Sequence, residues 1–236
     1  MVFVVSTIVC TILAIWAVVA APVESAAGAA TGVSGLYIAA AVYVPVALWF
    51  GVWGCFAGYL SCIFMGIYLN MPLEFVLVWA LADFFEGFVP LLIYRSLKIK
   101  PVMGFKHPKL TYGLNVSLAV VLIASAYALV FSYTAMFIAT FILSILLVIV
   151  QAIIEDRKTW LTWLPIGVIV ASFVSGTFGV GAMALFGSIP LEAFPAVFFG
   201  WVFGDIIVLA TLGTILTVVL TPYIVKSKIY VRRYFS

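Results

Sequence analysis

Polar residues are so sparse along this chain that they punctuate a series of apolar runs. The first run, Met1–Ala21, is closed by Pro22 and Glu24. A helix rising about 1.5 Å per residue needs about 20 apolar residues to cross a hydrocarbon core, so this run predicts one span. A small-residue linker follows from Val23 to Gly32 and is expected on the outer side. From Val33 to Leu69 there is no charged residue, and the run is too long for one helix. Its reversal is expected at Trp49-Phe50-Gly51-Val52-Trp53-Gly54, where two tryptophans and two glycines suit an interfacial turn; a re-entrant loop competes with that reading. Asn70-Met71-Pro72-Leu73-Glu74 is a polar turn with a helix-starting proline, and it opens a span from Phe75 to Tyr94. Thr111–Ile154 is long enough for two helices broken near Ser132-Tyr133-Thr134. Trp160–Phe186 predicts another span. After Ser188-Ile189-Pro190-Leu191-Glu192, the last run, Ala193–Val225, exceeds the minimum length, so tilt or a kink near Pro195 or Gly204 is expected.

The pattern predicts an all-α polytopic transmembrane bundle of about eight spans in a single integral domain, 1–236. The count falls to six or seven if one glycine-rich piece is re-entrant. Met1–Ala21 resembles a secretory signal in its Ala20-Ala21 ending, but it lacks a basic opening and a further span follows, which favours a retained helix. Asn70-Met71-Pro72-Leu73-Glu74-Phe75 is matched by Ser188-Ile189-Pro190-Leu191-Glu192-Ala193-Phe194. Each turn precedes a helix with Trp-x-x-x-Asp, namely Trp79–Asp83 and Trp201–Asp205. Chance similarity competes with an internal duplication into parallel halves, 1–109 and 110–236. Transporter repeats of that kind bracket a central site.

Composition sharpens this picture. The chain is 67% hydrophobic and 8% charged, against about 25% charged in an ordinary soluble domain. Too few charges remain to cover a soluble fold, and the hydrophobicity excludes disorder. The basic residues fall in three groups: Arg95, Lys98, Lys100, Lys106 and Lys109; Arg157 and Lys158 within Glu155-Asp156-Arg157-Lys158; and Lys226, Lys228, Arg232 and Arg233. Each abuts an apolar span, so the positive-inside rule accounts for them better than nucleic-acid binding. They place the chain in the cytoplasmic membrane as a multi-pass protein with both termini inside, its partner being the lipid bilayer and not nucleic acid.

Cys10, Cys55 and Cys62 lie in apolar runs without paired spacing and are read as small buried hydrophobes. His107 is a lone loop histidine. No metal, cofactor or catalytic constellation is legible: one histidine excludes a Ser–His–Asp arrangement, and no HExxH occurs. Asp83 and Asp205 lack the Tyr-Asp or Gly-x-Gly-Asp setting of intramembrane aspartyl proteases. The chain is read as a non-enzyme.

The acids carry the candidate chemistry. A carboxylate at bilayer depth costs about 2.5–3.5 kcal/mol on insertion scales, so it should face protein or water. Asp83 and Glu86 share a helix face with Trp79, and Asp205 shares one with Trp201. These five form a candidate substrate-binding set for a cation, a cationic group or protons, with indole walls. The competing account places the acids near an interface or in polar pairs that fix helix packing. Glu74 and Glu192 are expected to be first-turn residues that suit a helix N-terminus. Gly54–Gly58 and Gly176–Gly181 are expected to permit close helix contact. Asn115, Ser117, Ser125, Thr140, Ser144 and Gln151 scatter polar groups through the middle spans, with Gln151 bonded to a neighbouring helix.

Tyr43-Val44-Pro45, followed by Gly51, Gly54, Gly58 and Pro72, resembles the S components of energy-coupling-factor vitamin transporters. That resemblance implies a subunit that binds a vitamin from outside and works with partner ATPases and a coupling protein, in a bundle of fewer spans; Ala17 and Ala21 fit its small-residue contact. Ala80-Leu81-Ala82-Asp83-Phe84-Phe85-Glu86 and Gly200-Trp201-Val202-Phe203-Gly204-Asp205 resemble the integral membrane sensor domains of bacterial histidine kinases and cyclases. The expected function is a solute-binding or transport subunit for a small organic molecule, with membrane or cytoplasmic partner subunits. A stand-alone sensor module and a structural subunit of a larger complex are the alternatives.

Overall fold

The structure is a computed structural model that describes residues 1–20, 22–25, 28–102, 106–130, 133–155 and 157–235. Ala21, Ser132 and Asp156, named above, lie outside the described residues. With so few polar side chains to bond the backbone, uncharged runs satisfy it internally by forming helices. In chain order these are α1 (Val2–Ala20), a ribbon of β1 (Pro22–Ser25) and β2 (Gly28–Ser34), α2 (Ala39–Phe50), α3 (Val52–Tyr68), α4 (Leu73–Trp79), α5 (Leu81–Ser96), α6 (Pro108–Val130), α7 (Thr134–Ile154), α8 (Arg157–Thr162), α9 (Ala171–Leu185), α10 (Phe194–Val208) and α11 (Thr214–Ile224).

Among the described residues, five helical stretches are long and apolar enough to cross a membrane: Val2–Ala20, Leu73–Ser96, Thr134–Ile154, Trp160–Leu185 and Leu191–Ile224. Ala39–Phe50 and Val52–Tyr68 are apolar but shorter, and α6 (Pro108–Val130) is a further apolar helix. The expectation of about eight spans is met in part: five helices of crossing length stand among the described residues. In the run from Val33 the helix starts late, at Ala39, because Ser34 at the end of β2 is tied to α1: its hydroxyl donates to the Ala17 carbonyl at 2.8 Å and accepts the Leu36 N–H at 3.2 Å. In the expected linker, β1 and β2 pair antiparallel, with Glu24 opposite Ala29 and Ser25 opposite Gly28.

The reversal falls where the glycines lie. Gly51 alone joins α2 to α3, at φ 65°, a conformation glycine adopts without steric penalty. Gly54 then lets the two helices touch: a Cβ there would stand 2.5 Å from the Ala47 Cα. The two tryptophans of this turn differ in exposure. Trp53 is exposed, whereas Trp49 is buried and its indole N–H donates to Thr221 Oγ1 at 2.8 Å.

The last stretch leaves regular α-helix neither at Pro195, in the first turn of α10, nor at Gly204, but in a π-helical segment at Leu209–Gly213. Gly204 serves a close approach instead, since a Cβ there would lie 2.8 Å from the Gly35 carbonyl oxygen. A second π-helical segment, Trp163–Val170, contains Pro165, whose missing N–H interrupts the usual ladder. The Trp163 indole N–H donates to Thr214 Oγ1 at 2.9 Å, clasping this segment to the start of α11. In the middle helices the hydroxyls of Ser117, Ser125, Thr140 and Ser144 donate back to carbonyls one turn earlier. Gln151 of α7 donates to Asn115 Oδ1 of α6 at 3.0 Å.

The basic segments gather at one end of the bundle. Arg95, in the last turn of α5, donates to the carbonyls of Leu48 (2.9 Å), Val231 (2.5 Å) and Arg233 (3.2 Å) and to the Tyr230 hydroxyl (2.8 Å). Val231 N–H bonds Trp49 O and Val52 N–H bonds Tyr234 O, both at 2.9 Å, so the tail closes the α2–α3 turn. Buried Glu155, after α7, accepts the backbone N–H groups of Lys106 and His107 and the Thr111 hydroxyl. Phe3 packs edge-on against Trp53 at 6.0 Å, which brings the start of α1 to the same end as the tail.

Replacing Arg95 with alanine removes four charge-assisted hydrogen bonds. Such bonds contribute about 1.5–3 kcal/mol each when shielded, and less here because the side chain is only half-buried. Limited trypsin digestion of the detergent-solubilised variant is expected to cut between Lys226 and Arg233 roughly tenfold faster than in wild type. Equal rates would show that the tail is held by other contacts.

Candidate functional site

Asp83 lies in the first turn of α5, Glu86 lies three residues on, and Trp79 ends α4. Pro90 lacks the N–H that would bond the Glu86 carbonyl, which loosens this turn. On the facing side, α10 presents Trp201 and Asp205. The carboxyl groups are removed from solvent: Asp83 and Asp205 are 1% exposed and Glu86 0%.

The two helices converge through their tryptophans. The rings of Trp79 and Trp201 meet edge-on at 5.9 Å, and Trp79 stacks on Phe75 at 5.5 Å. Glycines on α9 make room for this arrangement. A Cβ at Gly179 would fall 2.7 Å from the Trp201 indole, and one at Gly176 would fall 2.7 Å from Val202 Cγ2. Gly181, expected to share that contact, faces open space.

Hydroxyl groups partner the acids. Tyr37 donates to Asp83 Oδ2 at 2.9 Å, and Tyr43 donates to Glu86 Oε2. Trp201 Nε1–H donates to Ser175 Oγ at 2.9 Å. Ser175 in turn lies close enough to interact with both Glu86 and Asp205, and Asp205 is within electrostatic reach of Asp83 and Glu86. Among the described residues, three buried polar atoms here have no hydrogen-bond partner: Glu86 Oε1, Asp205 Oδ2 and Trp79 Nε1. Ser34, Tyr37, Cys62, Met65 and the two Trp–Asp pairs line a cavity of about 10 Å³, room for about one water. Glu86 is not part of that lining. No Lys or Arg is among the lining residues, and among the described residues no group of three His, Cys, Asp or Glu is placed to hold a metal.

All five sequence-derived positions are thus brought into one locality, four of them on the cavity wall. Glu74 and Glu192 are exposed first-turn residues, away from it. Cys10, Cys55 and Cys62 are buried free thiols, with Cys62 on the wall. Sequence reasoning missed Tyr37, Ser175 and Ser34, and it took Tyr43 only as part of a resemblance. A usable signal existed: a tyrosine in an uncharged run must find a partner for its hydroxyl once buried.

No family model matches this chain, and no curated protein or solved structure does. Fold and site define a class nonetheless: a helical bundle with, among the described residues, five helices of membrane-crossing length and a buried group of three carboxyls.

Proposed function

We propose that the chain is a membrane solute-binding or transport subunit, in which Asp83, Glu86 and Asp205 take up protons or the cationic group of a small organic solute. One observation carries this reading: among the described residues Glu86 Oε1 and Asp205 Oδ2 are buried without partners, and Asp205 lines a cavity whose lining includes no Lys or Arg. Carboxylates buried together without counter-charge are costly, so a proton or a cation must neutralise them. Trp79 and Trp201 suit the second occupant, since indole faces attract cations. A cavity of about 10 Å³ admits no organic molecule, so the conformation described is the closed one. Entry requires the Trp79–Trp201 contact to part.

The matched turns support a paired arrangement around the site. Asn70 (φ 56°) and Gly187 (φ 69°) both end a helix in the left-handed region, and Pro72 and Pro190 then start the helices bearing the two Trp–Asp pairs. The basic end, with its three positive segments, is assigned to the cytoplasm by the positive-inside rule. A sensor or a structural subunit would share this geometry but move no solute.

Reconstitution separates these. Wild-type proteoliposomes are expected to take up radiolabelled choline, a compact organic cation, or to acidify internal pyranine under an inside-negative potential, at rates well above those of empty liposomes. Fluxes equal to those of empty liposomes for both probes would reject the transport reading.

A further inference from the structure

A second cavity lies at the basic end, built from the close of α5 and the tail beyond α11. It measures about 490 Å³ and is lined by Arg95, Lys98, Lys100 and Arg232, with Tyr230 beside them and Ile99 and Val225 on an apolar side. No acidic residue is in that lining. Four like charges around one hollow repel one another, and a bound anion relieves that repulsion.

The hollow is assembled, not incidental. Arg95 is fixed by its four hydrogen bonds to the tail and to α2, and its guanidinium lies 5.3 Å from the Tyr230 ring centre. The last carbonyls of α5 are already occupied: Ile93, Tyr94 and Arg95 accept the N–H groups of Leu97, Ile99 and Lys98. Those acceptors therefore compete little with an incoming anion. Lys98 itself stands at φ 54°, a left-handed position of the kind that Gly187 fills at the end of α9. A lysine there carries a backbone penalty that glycine avoids, and in return it adds a cation to the rim.

We propose that this cavity binds a phosphate-bearing anion, either the headgroup of an anionic lipid or a soluble phosphate ester. Its size lies within the range of organic ligand sites and exceeds what a bare ion needs. The apolar side at Ile99 and Val225 matches the carbon body of such a ligand. Juxtamembrane basic residues add attraction to anionic headgroups one by one. The site is separate from the carboxyl cluster and does not depend on its role.

The test is calorimetric titration of the full chain in maltoside micelles with dioctanoyl phosphatidylglycerol and with glycerol phosphate. Wild type is expected to bind at least one probe, more weakly as salt rises. Lys98→Gly, which relieves the left-handed backbone and so does not threaten folding, should weaken binding severalfold. Combined with Lys100→Gln and Arg232→Gln, it should weaken binding roughly a hundredfold. Binding of the lipid probe alone would assign the site to a headgroup, and equal binding of both would assign it to a soluble ester. No binding of either probe to wild type would overturn the proposal. So would wild-type affinity in the folded Lys98→Gly or triple variant.

Discussion

Asp205→Asn should abolish choline and proton uptake in proteoliposomes while leaving the thermal unfolding temperature unchanged or raised. Asparagine has nearly the shape of aspartate, so the packing of α10 on α9 and the Trp79–Trp201 contact can persist. What disappears is the capacity to carry a proton or match a cation at a position 1% exposed and lacking a partner for Oδ2. A buried charge deprived of its counter-charge costs about 3–5 kcal/mol, so a cationic solute should lose more than two decades of uptake. Stability should move the other way or not at all, because an acid kept in a dry interior for function is removed. Wild-type flux in a folded Asp205→Asn protein would exclude Asp205 from the mechanism. Loss of flux together with a clear loss of stability would assign the carboxyl a structural role, as one side of a polar contact between helices.

Gly54→Leu is expected to have the largest effect on folding. A Cβ at this position would lie 2.5 Å from the Ala47 Cα and N and from the Val46 carbonyl carbon. These are backbone atoms of α2, which cannot turn aside as the end of a side chain can. The helices must separate along a hairpin whose connection is Gly51 alone, and overpacking on this scale costs about 3 kcal/mol or more. The damage should reach the site, because α2 carries Tyr43, the donor to Glu86, and a Cβ at Gly58 of α3 would stand 3.0 Å from Tyr43 Cγ. Size-exclusion chromatography of the solubilised variant should show aggregation or a strongly lowered unfolding temperature. Gly181→Ala provides the control: nothing lies within 4 Å of its Cβ position, so helix propensity alone should add about 0.5–1 kcal/mol. Wild-type unfolding in Gly54→Leu would refute the close α2–α3 contact.

The breaks that bound α3 and start α4 were legible because each carries a residue with a backbone reason to be there. Gly51 adopts a positive φ, Asn70 ends α3 in the left-handed region, and Pro72 starts α4. Span length was less legible. Apolar content alone predicts a helix from Val33, whereas the Ser34 bonds to Ala17 and Leu36 hold that segment out of helix until Ala39. The π-helical segment at Leu209–Gly213 left no mark that periodicity could show, and Gly204 looked like a flexible point when its role is to admit Gly35.

Along its own chain, the sequence determines which residues share a helix face, because helical geometry is local. The 3.6-residue turn puts Trp79, Asp83 and Glu86 together, and Trp201 with Asp205, before any packing is known. Which faces meet is a long-range matter. The edge-on Trp79–Trp201 contact, the hydroxyls that Tyr37 and Tyr43 bring to Asp83 and Glu86, and the folding of the tail onto Arg95 each join residues dozens of positions apart or more. Only tertiary structure decides those pairings. Burial leaves each polar group to bond whatever the packing sets beside it, and among the described residues Glu86 Oε1 and Asp205 Oδ2 are left without a hydrogen-bond partner.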